Sequence, residues 1–153
     1  MFATDLDSTD NPIWYRATND TTILKQADAD IRRLSKDNFT SKYALIITYD
    51  NVPIRRSPRV NQTFQAVLVS DFKLTYVIMN YVNLTVNGTT GFYENEFHFK
   101  IFLEGDSRAL AETSNIGIKG THVHLLTLVN EGNAFYFLLL NFPIIYFILQ
   151  NLF

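Results

Sequence analysis

The sequence predicts an α+β domain: an antiparallel β-sheet with one amphipathic helix packed on it, followed by an apolar C-terminal tail. Three observations predict it. One segment alone carries apolar residues at helical spacing, in Ile23, Leu24, Ala27, Ile31 and Leu34. The segments after it are short, bulky and β-branched, and turn residues separate them. Aromatic residues make up 14% of the chain, thirteen Phe and eight Tyr among them, and flat rings pack well on a pleated surface.

Residues 2–7, "FATDLD", and 12–18, "PIWYRAT", read as two short strands joined by the polar turn "STDN", an opening hairpin. The helix follows over 21–36, with Asp20 or Thr21 placed to cap its open first-turn amides. "YALIITYD" (43–50) is expected as a strand that stops at "NVP". The basic, proline-bearing stretch "PIRRSPR" (53–59) then reads as a solvated connection. "TFQAVLVS" (63–70) and "LTYVIMNY" (74–81) flank only "DFK", which makes them a hairpin. A turn-rich segment, "NLTVNGTTG" (83–91), precedes "FHFKIFLEG" (97–105). "HVHLLTL" (122–128) is expected to be the closing strand.

At 153 residues the chain holds one core-bearing domain, expected over 1–128, with 129–153 as an appended segment. No charge occurs from Ala134 to Phe153, and an apolar run of about 20 residues is enough to span a bilayer. Asn141 and Pro143 interrupt that run. Three readings stay open: a membrane anchor, a segment buried in the domain, or translated sequence beyond a missed splice site.

The net charge of −2 is spread along the chain, with no basic face of the kind nucleic acid needs. The absence of cysteine excludes disulfide staples, thiolate metal sites and a Cys nucleophile. Five Asn-x-Thr acceptor triplets, at Asn19, Asn38, Asn61, Asn83 and Asn87, point to a secretory history. The acidic start "MFATDLDSTD" carries no export signal, so the signal is expected to lie outside this chain.

Candidate chemistry is sparse. His122 and His124 lie two apart on a predicted strand and so point the same way, and His98 would be a third metal ligand. They read more simply as a half-exposed strand face. Asp5, Asp7 and Asp10 alternate like the front of a calcium loop but lack its Gly and distal Glu, and read as turn formers. "GDS" (105–107) lacks the elbow sequence of a Ser hydrolase and reads as a loop turn. No phosphate loop or nucleotide fingerprint occurs, and no cofactor is implied.

Taken in order, several blocks resemble the NIDO domain, the extracellular domain shared by nidogen, alpha-tectorin and certain mucins. They are "FATDLDSTDNPIWYR", the helix "ILKQADADIRRL", "YALIITYDNVP", "NQTFQAVLVSDFKLTYVIMNY" and the turn "ETSNIGIKG". The resemblance runs from about residue 2 to 127. The family's first strands are missing, so Met1 is expected to begin inside a domain and to leave a sheet edge or core face open. Lys119, Gly120, Thr121 and His122 stand where the family usually has Pro-Gly-Arg-Trp.

The resemblance implies a non-catalytic extracellular interaction module acting in cell–matrix adhesion or matrix assembly, with matrix or cell-surface proteins as partners and no nucleic acid. Two alternatives are weighed against it. One is a membrane-tethered receptor ectodomain fragment, in contact with the membrane through residues 134–153. The other is a His/Asp metal-dependent or Ser hydrolase.

Overall fold

The computed structural model describes residues 2–3, 13–36, 38–54, 57–85, 89–95, 98–101 and 106–126. Eight strands are described: β1 Phe2–Ala3, β2 Ile13–Thr18, β3 Tyr43–Ile54, β4 Ser57–Ser70, β5 Thr75–Asn83, β6 Thr89–Asn95, β7 His98–Ile101 and β8 Thr121–Leu126. Helix α1 spans Thr21–Leu34, and a 3-10 turn spans Ser107–Ala111. A five-stranded antiparallel sheet runs β2-β3-β4-β5-β8, and a three-stranded one runs β1-β6-β7.

The large sheet is buried on both faces, which explains why its central strands read as nearly continuous apolar runs rather than as a clean alternation. Side chains alternate between the faces along each strand. Ala44, Val67, Val69, Tyr76, Ile78 and Val123 point to one side and pack with Leu24, Ala27 and Ile31 of α1. Leu45, Ile47, Phe64, Leu68, Val77 and Met79 form the opposite core, where Leu84 and Leu110 join them. Phe64 and Tyr76 are among the largest fully buried side chains, each worth about 1.5–3 kcal/mol of burial.

Asp20 caps α1, its Oδ1 accepting from the amides of Thr22 and Ile23. Of the helical stripe, Leu34 alone is left largely exposed. The helix is tied to the next segment by Asp28, a buried carboxylate that accepts from the Ser41 amide at 3.0 Å.

The described strands depart from the expected ones at several points. Of the expected opening hairpin, Phe2 and Ala3 pair with Thr90 and Thr89 of β6, β2 pairs along β3 from Ile13↔Tyr49 to Thr18↔Ala44, and residues 4–12 lie outside the described residues. β3 also does not stop at "NVP". A register shift between Tyr49 and Val52 absorbs the irregularity there, with Asn51 left-handed at φ 55, and the strand continues to Ile54. Asn tolerates that conformation better than most residues. Most of the basic "PIRRSPR" stretch is therefore strand, and only residues 55–56 lie between β3 and β4. Strand β6 falls partly in the segment that reads as turn-rich, because Thr89, Thr90 and Gly91 pair rather than loop.

The β4–β5 hairpin forms as the sequence predicts. Asp71 Oδ1 accepts from the amides of Lys73 and Leu74 at 2.8 and 2.7 Å and so closes its turn. The closing strand begins one residue earlier than expected and is placed by Gly120, whose carbonyl accepts from the Tyr81 amide at 2.7 Å. Gly120 has φ +74, and a Cβ there would lie 2.5 Å from the Tyr81 carbonyl oxygen. Gly117 has a similar φ of +79 but open space around it. Gly120→Ala is therefore expected to destabilise the fold by about 2–4 kcal/mol, since both backbone and contact are strained. Gly117→Ala pays for the conformation only, roughly 1 kcal/mol. Urea unfolding of the two variants measures the difference.

Candidate functional site

On the α1 side of the sheet, one row of side chains crosses all five strands. The pairings Trp14↔Thr48, Thr48↔Gln65, Gln65↔Asn80 and Asn80↔Thr121 put these residues in line. Four of them form a directional chain of hydrogen bonds. Thr121 Oγ1 donates to Asn80 Oδ1 at 3.1 Å, Asn80 Nδ2 to Gln65 Oε1 at 3.2 Å, and Gln65 Nε2 to Thr48 Oγ1 at 2.9 Å. Such chains polarise each link in turn.

The next row, Ile46↔Val67↔Ile78, is apolar and runs beneath the flank of α1. Between helix and sheet lies a groove of about 390 Å³, floored by Gln65 and Asn80 of the polar row with the apolar row, and walled by Thr22, Ile23, Gln26, Ala27 and Asp30. Gln26 and Asp30, one helical turn apart, are joined by a weak bond from Nε2 to Oδ1 at 3.4 Å.

The two edges of the sheet differ. Along β8 the outward backbone groups of Thr121 and Val123 are taken up by the turn before it. Asn115 Nδ2 donates to the Val123 carbonyl at 2.6 Å, and Asn115 Oδ1 accepts from the Val123 amide at 2.9 Å. Ser114 Oγ donates to the Thr121 carbonyl, and the Thr121 amide donates to Ile118. Asn115 thus acts as a one-residue surrogate strand, while Ile116 and Ile118 of the same turn pack against the helix-side core. Along β2, no strand among the described residues pairs with the outer edge. That strand displays Trp14 (61% exposed), Tyr15 (52%) and an exposed Arg16. An edge without a described partner that bears Trp, Tyr and Arg has the composition of an interface hot spot.

His122 and His124 do share a face of β8, but His122 is buried. Its Nε2 lies 3.2 Å from the Leu110 carbonyl and donates to it, 3.4 Å from Thr113 Oγ1, and its ring meets Tyr81 edge-on with centroids 5.8 Å apart. That nitrogen is engaged in packing the 3-10 turn onto the sheet. His98 lies on β7 of the smaller sheet. Among the described residues, no group of three His, Asp or Glu side chains is gathered as metal ligands. Asp5, Asp7 and Asp10 fall outside them.

Asp106 caps the 3-10 turn, accepts from the Arg108 amide at 3.0 Å and forms an ion pair with the Arg108 guanidinium. Those bonds hold its carboxyl below the usual range. Ser107 beside it is buried within the turn. Asp106 and Ser107 of "GDS" are thus the cap and first residue of a 3-10 turn, and Gly105 lies outside the described residues.

Of the acceptor asparagines, Asn19, Asn38 and Asn83 are exposed. Asn61 is half-buried on β4 and donates from Nδ2 to Asn51 Oδ1 at 3.1 Å. Asn87 lies outside the described residues, as does the tail from residue 127. No helix among the described residues is long and apolar enough to cross a membrane. The polar row and the exposed edge were not singled out from the sequence. Their only signals are Gln65 and Asn80 interrupting apolar strand runs, and the juxtaposed "WYR" of β2.

The sequence profile of the nidogen-like (NIDO) domain matches residues 1–127. The chain belongs to the nidogen-like domain family. It is 40% identical over 83 residues to alpha-tectorin of Mus musculus and of Homo sapiens, and 31% identical to alpha-tectorin of Gallus gallus. Each alignment covers 52% of this chain and 4% of the relative, so the chain spans a small part of those proteins' length. No solved structure matches. The resemblance drawn from the five sequence blocks is borne out, and the "ETSNIGIKG" block of this NIDO domain is the turn that closes the β8 edge.

The buried histidine gives the domain a pH dependence. Burial lowers the His122 pKa below the ordinary 6.5, and the bonds to Leu110 and Thr113 oppose it in part. The unfolded chain therefore binds the proton more readily than the fold. The stabilising contribution is complete above pH 6.5 and is lost as pH falls below it, towards the depressed folded value. Between about pH 7.5 and 5.5, His122→Gln is expected to show a shallower fall in unfolding free energy than the parent in urea titrations.

Proposed function

We propose that this NIDO domain is a non-catalytic extracellular interaction module that serves cell–matrix adhesion or matrix assembly. It docks matrix or cell-surface proteins on the open β2 edge. One observation carries the reading: Trp14, Tyr15 and Arg16 stand exposed on a strand whose outer edge has no partner among the described residues, whereas the turn before β8 takes up the outward groups of Thr121 and Val123 at the opposite edge. Membership of the nidogen-like family supports the extracellular placement. The commitment of Asp106 to a cap and of His122 Nε2 to Leu110 supports the non-catalytic part, because both candidate groups are spent on structure.

The domain extends over 1–128, with 129–153 as an appended segment. Asn19, Asn38 and Asn83 project where a glycan displaces nothing, and Asn87 is carried as a fourth acceptor. A glycan on Asn61 sacrifices the bond to Asn51 and is the least compatible with the fold. The uncharged stretch 134–153 favours a second reading, a tethered ectodomain, in which the same module sits at a cell surface.

Export of the chain behind a supplied signal peptide tests the placement, with glycopeptide mass spectrometry expected to find sugar at Asn19, Asn38 or Asn83. In solid-phase binding to extracellular matrix, Trp14→Ala with Arg16→Ala is expected to weaken capture at least about tenfold without altering circular dichroism. Unchanged capture would remove the β2 edge from the account. Partition into detergent that vanishes on deleting 134–153 would select the tethered form.

A further inference from the structure

The groove between α1 and the sheet has no part in the edge-docking proposal, and its chemistry is specific. A primary amide offers two N–H donors and two carbonyl lone pairs. In the polar row Gln65 uses one donor towards Thr48 and one lone pair towards Asn80, and Asn80 uses one of each towards Gln65 and Thr121. Among the described residues each half-buried amide keeps one donor and one acceptor unengaged, and both line the groove. The hydrogen bonds between them fix their orientation, so the remaining valences are held in place before any ligand arrives.

Ligand classes can be excluded on the same ground. The groove is lined by one charged side chain, Asp30, and by no cation, which disfavours phosphate, sulfate and carboxylate ligands. Strands β3, β4 and β5 lie inside the sheet with their backbone groups paired, so an extended peptide finds no ladder to join. What remains is recognition by side chains alone: two amides on the floor, Gln26 and Asp30 on the wall, and the aliphatic row Ile46, Val67 and Ile78 beside them. That combination suits a small neutral molecule with a hydrogen-bonding edge and an apolar patch, and the 390 Å³ volume is of small-molecule size.

We infer that the groove is a saccharide-binding site that prefers a neutral sugar bearing an acetamido group. The acetamide N–H and carbonyl match the paired donor and acceptor of Gln65 and Asn80. Its methyl rests on Ile46, Val67 and Ile78, and ring hydroxyls reach Gln26 and Asp30. The site discriminates against acidic polysaccharides through Asp30.

The chain contains a single tryptophan, and Trp14 lies two strands from Gln65 along the row, about 10 Å away, so its fluorescence reports on the site. Titration of the full chain with N,N′-diacetylchitobiose is expected to change that emission and to shift the amide resonances of Gln26, Asp30, Gln65 and Asn80. Gln65→Leu is expected to weaken binding at least about tenfold. Gln26→Ala, a substitution on the exposed helix surface that spares the core, is expected to weaken it several-fold, so the test survives if the Gln65 variant misfolds. Cellobiose, which lacks acetamido groups, is expected to bind more weakly still, and a sulfated heparin disaccharide not at all. Three results would each overturn the assignment: no response to diacetylchitobiose up to about 10 mM, resonance shifts confined to other surfaces, or equal or tighter binding of cellobiose or the sulfated disaccharide.

Discussion

The approach of Gly120 to the Tyr81 backbone is the constraint on which most of this structure depends. At that point the chain returns from a long turn and is locked by one short backbone bond, with no room for a Cβ. The position of β8 follows from it. Val123 then completes the helix-side core, Leu126 completes the opposite one, and Thr121 reaches Asn80 to start the polar row. A shift of one residue in β8 would exchange these faces and place His122 under the helix.

The same strand determines how the sheet meets its surroundings. A sheet edge is an invitation to pairing, and proteins blunt edges they do not use. Here Asn115 and Ser114 satisfy the outward groups of Thr121 and Val123 from within the domain. The β2 edge has no such plug among the described residues, and the aromatic and cationic side chains of its strand are exposed. The helix covers the apolar rows and ends its reach at the amide row, which leaves a groove instead of a filled core. Protein contact at one edge and a small ligand on one face are therefore separable consequences of a single sheet.

The legible parts of the sequence were those where local chemistry and tertiary demand agree. Helix α1 reads directly because its stripe of Leu24, Ala27 and Ile31 and its Asp20 cap sit on one continuous segment. The β4–β5 hairpin reads because Asp71 closes so short a turn. The partner of Phe2–Ala3 did not read, since a strand's hydrophobic pattern does not name its neighbour, and β6 lies far along the chain. The "NVP" stretch misleads because Pro53 sits beside a bulge, where a missing amide is tolerated. The polar row was invisible as a unit: its members lie on four strands and become a site only once the registers are known. The "ETSNIGIKG" turn was recognisable as distinctive, but its role as a surrogate strand depends on where β8 falls.

The contrast between the two edges is tested most directly by residue-resolved amide hydrogen exchange on the full chain. The account predicts that Val123 and Thr121 exchange slowly, as interior amides do, because the 114–118 turn holds them. It predicts that alternate amides of β2, those facing away from β3, exchange fast and slow down only when a partner binds. Uniform protection along β2 in the isolated protein would mean that the edge is already covered, and would contradict the open edge as the docking surface. Fast exchange at Val123 would contradict the closure of the other.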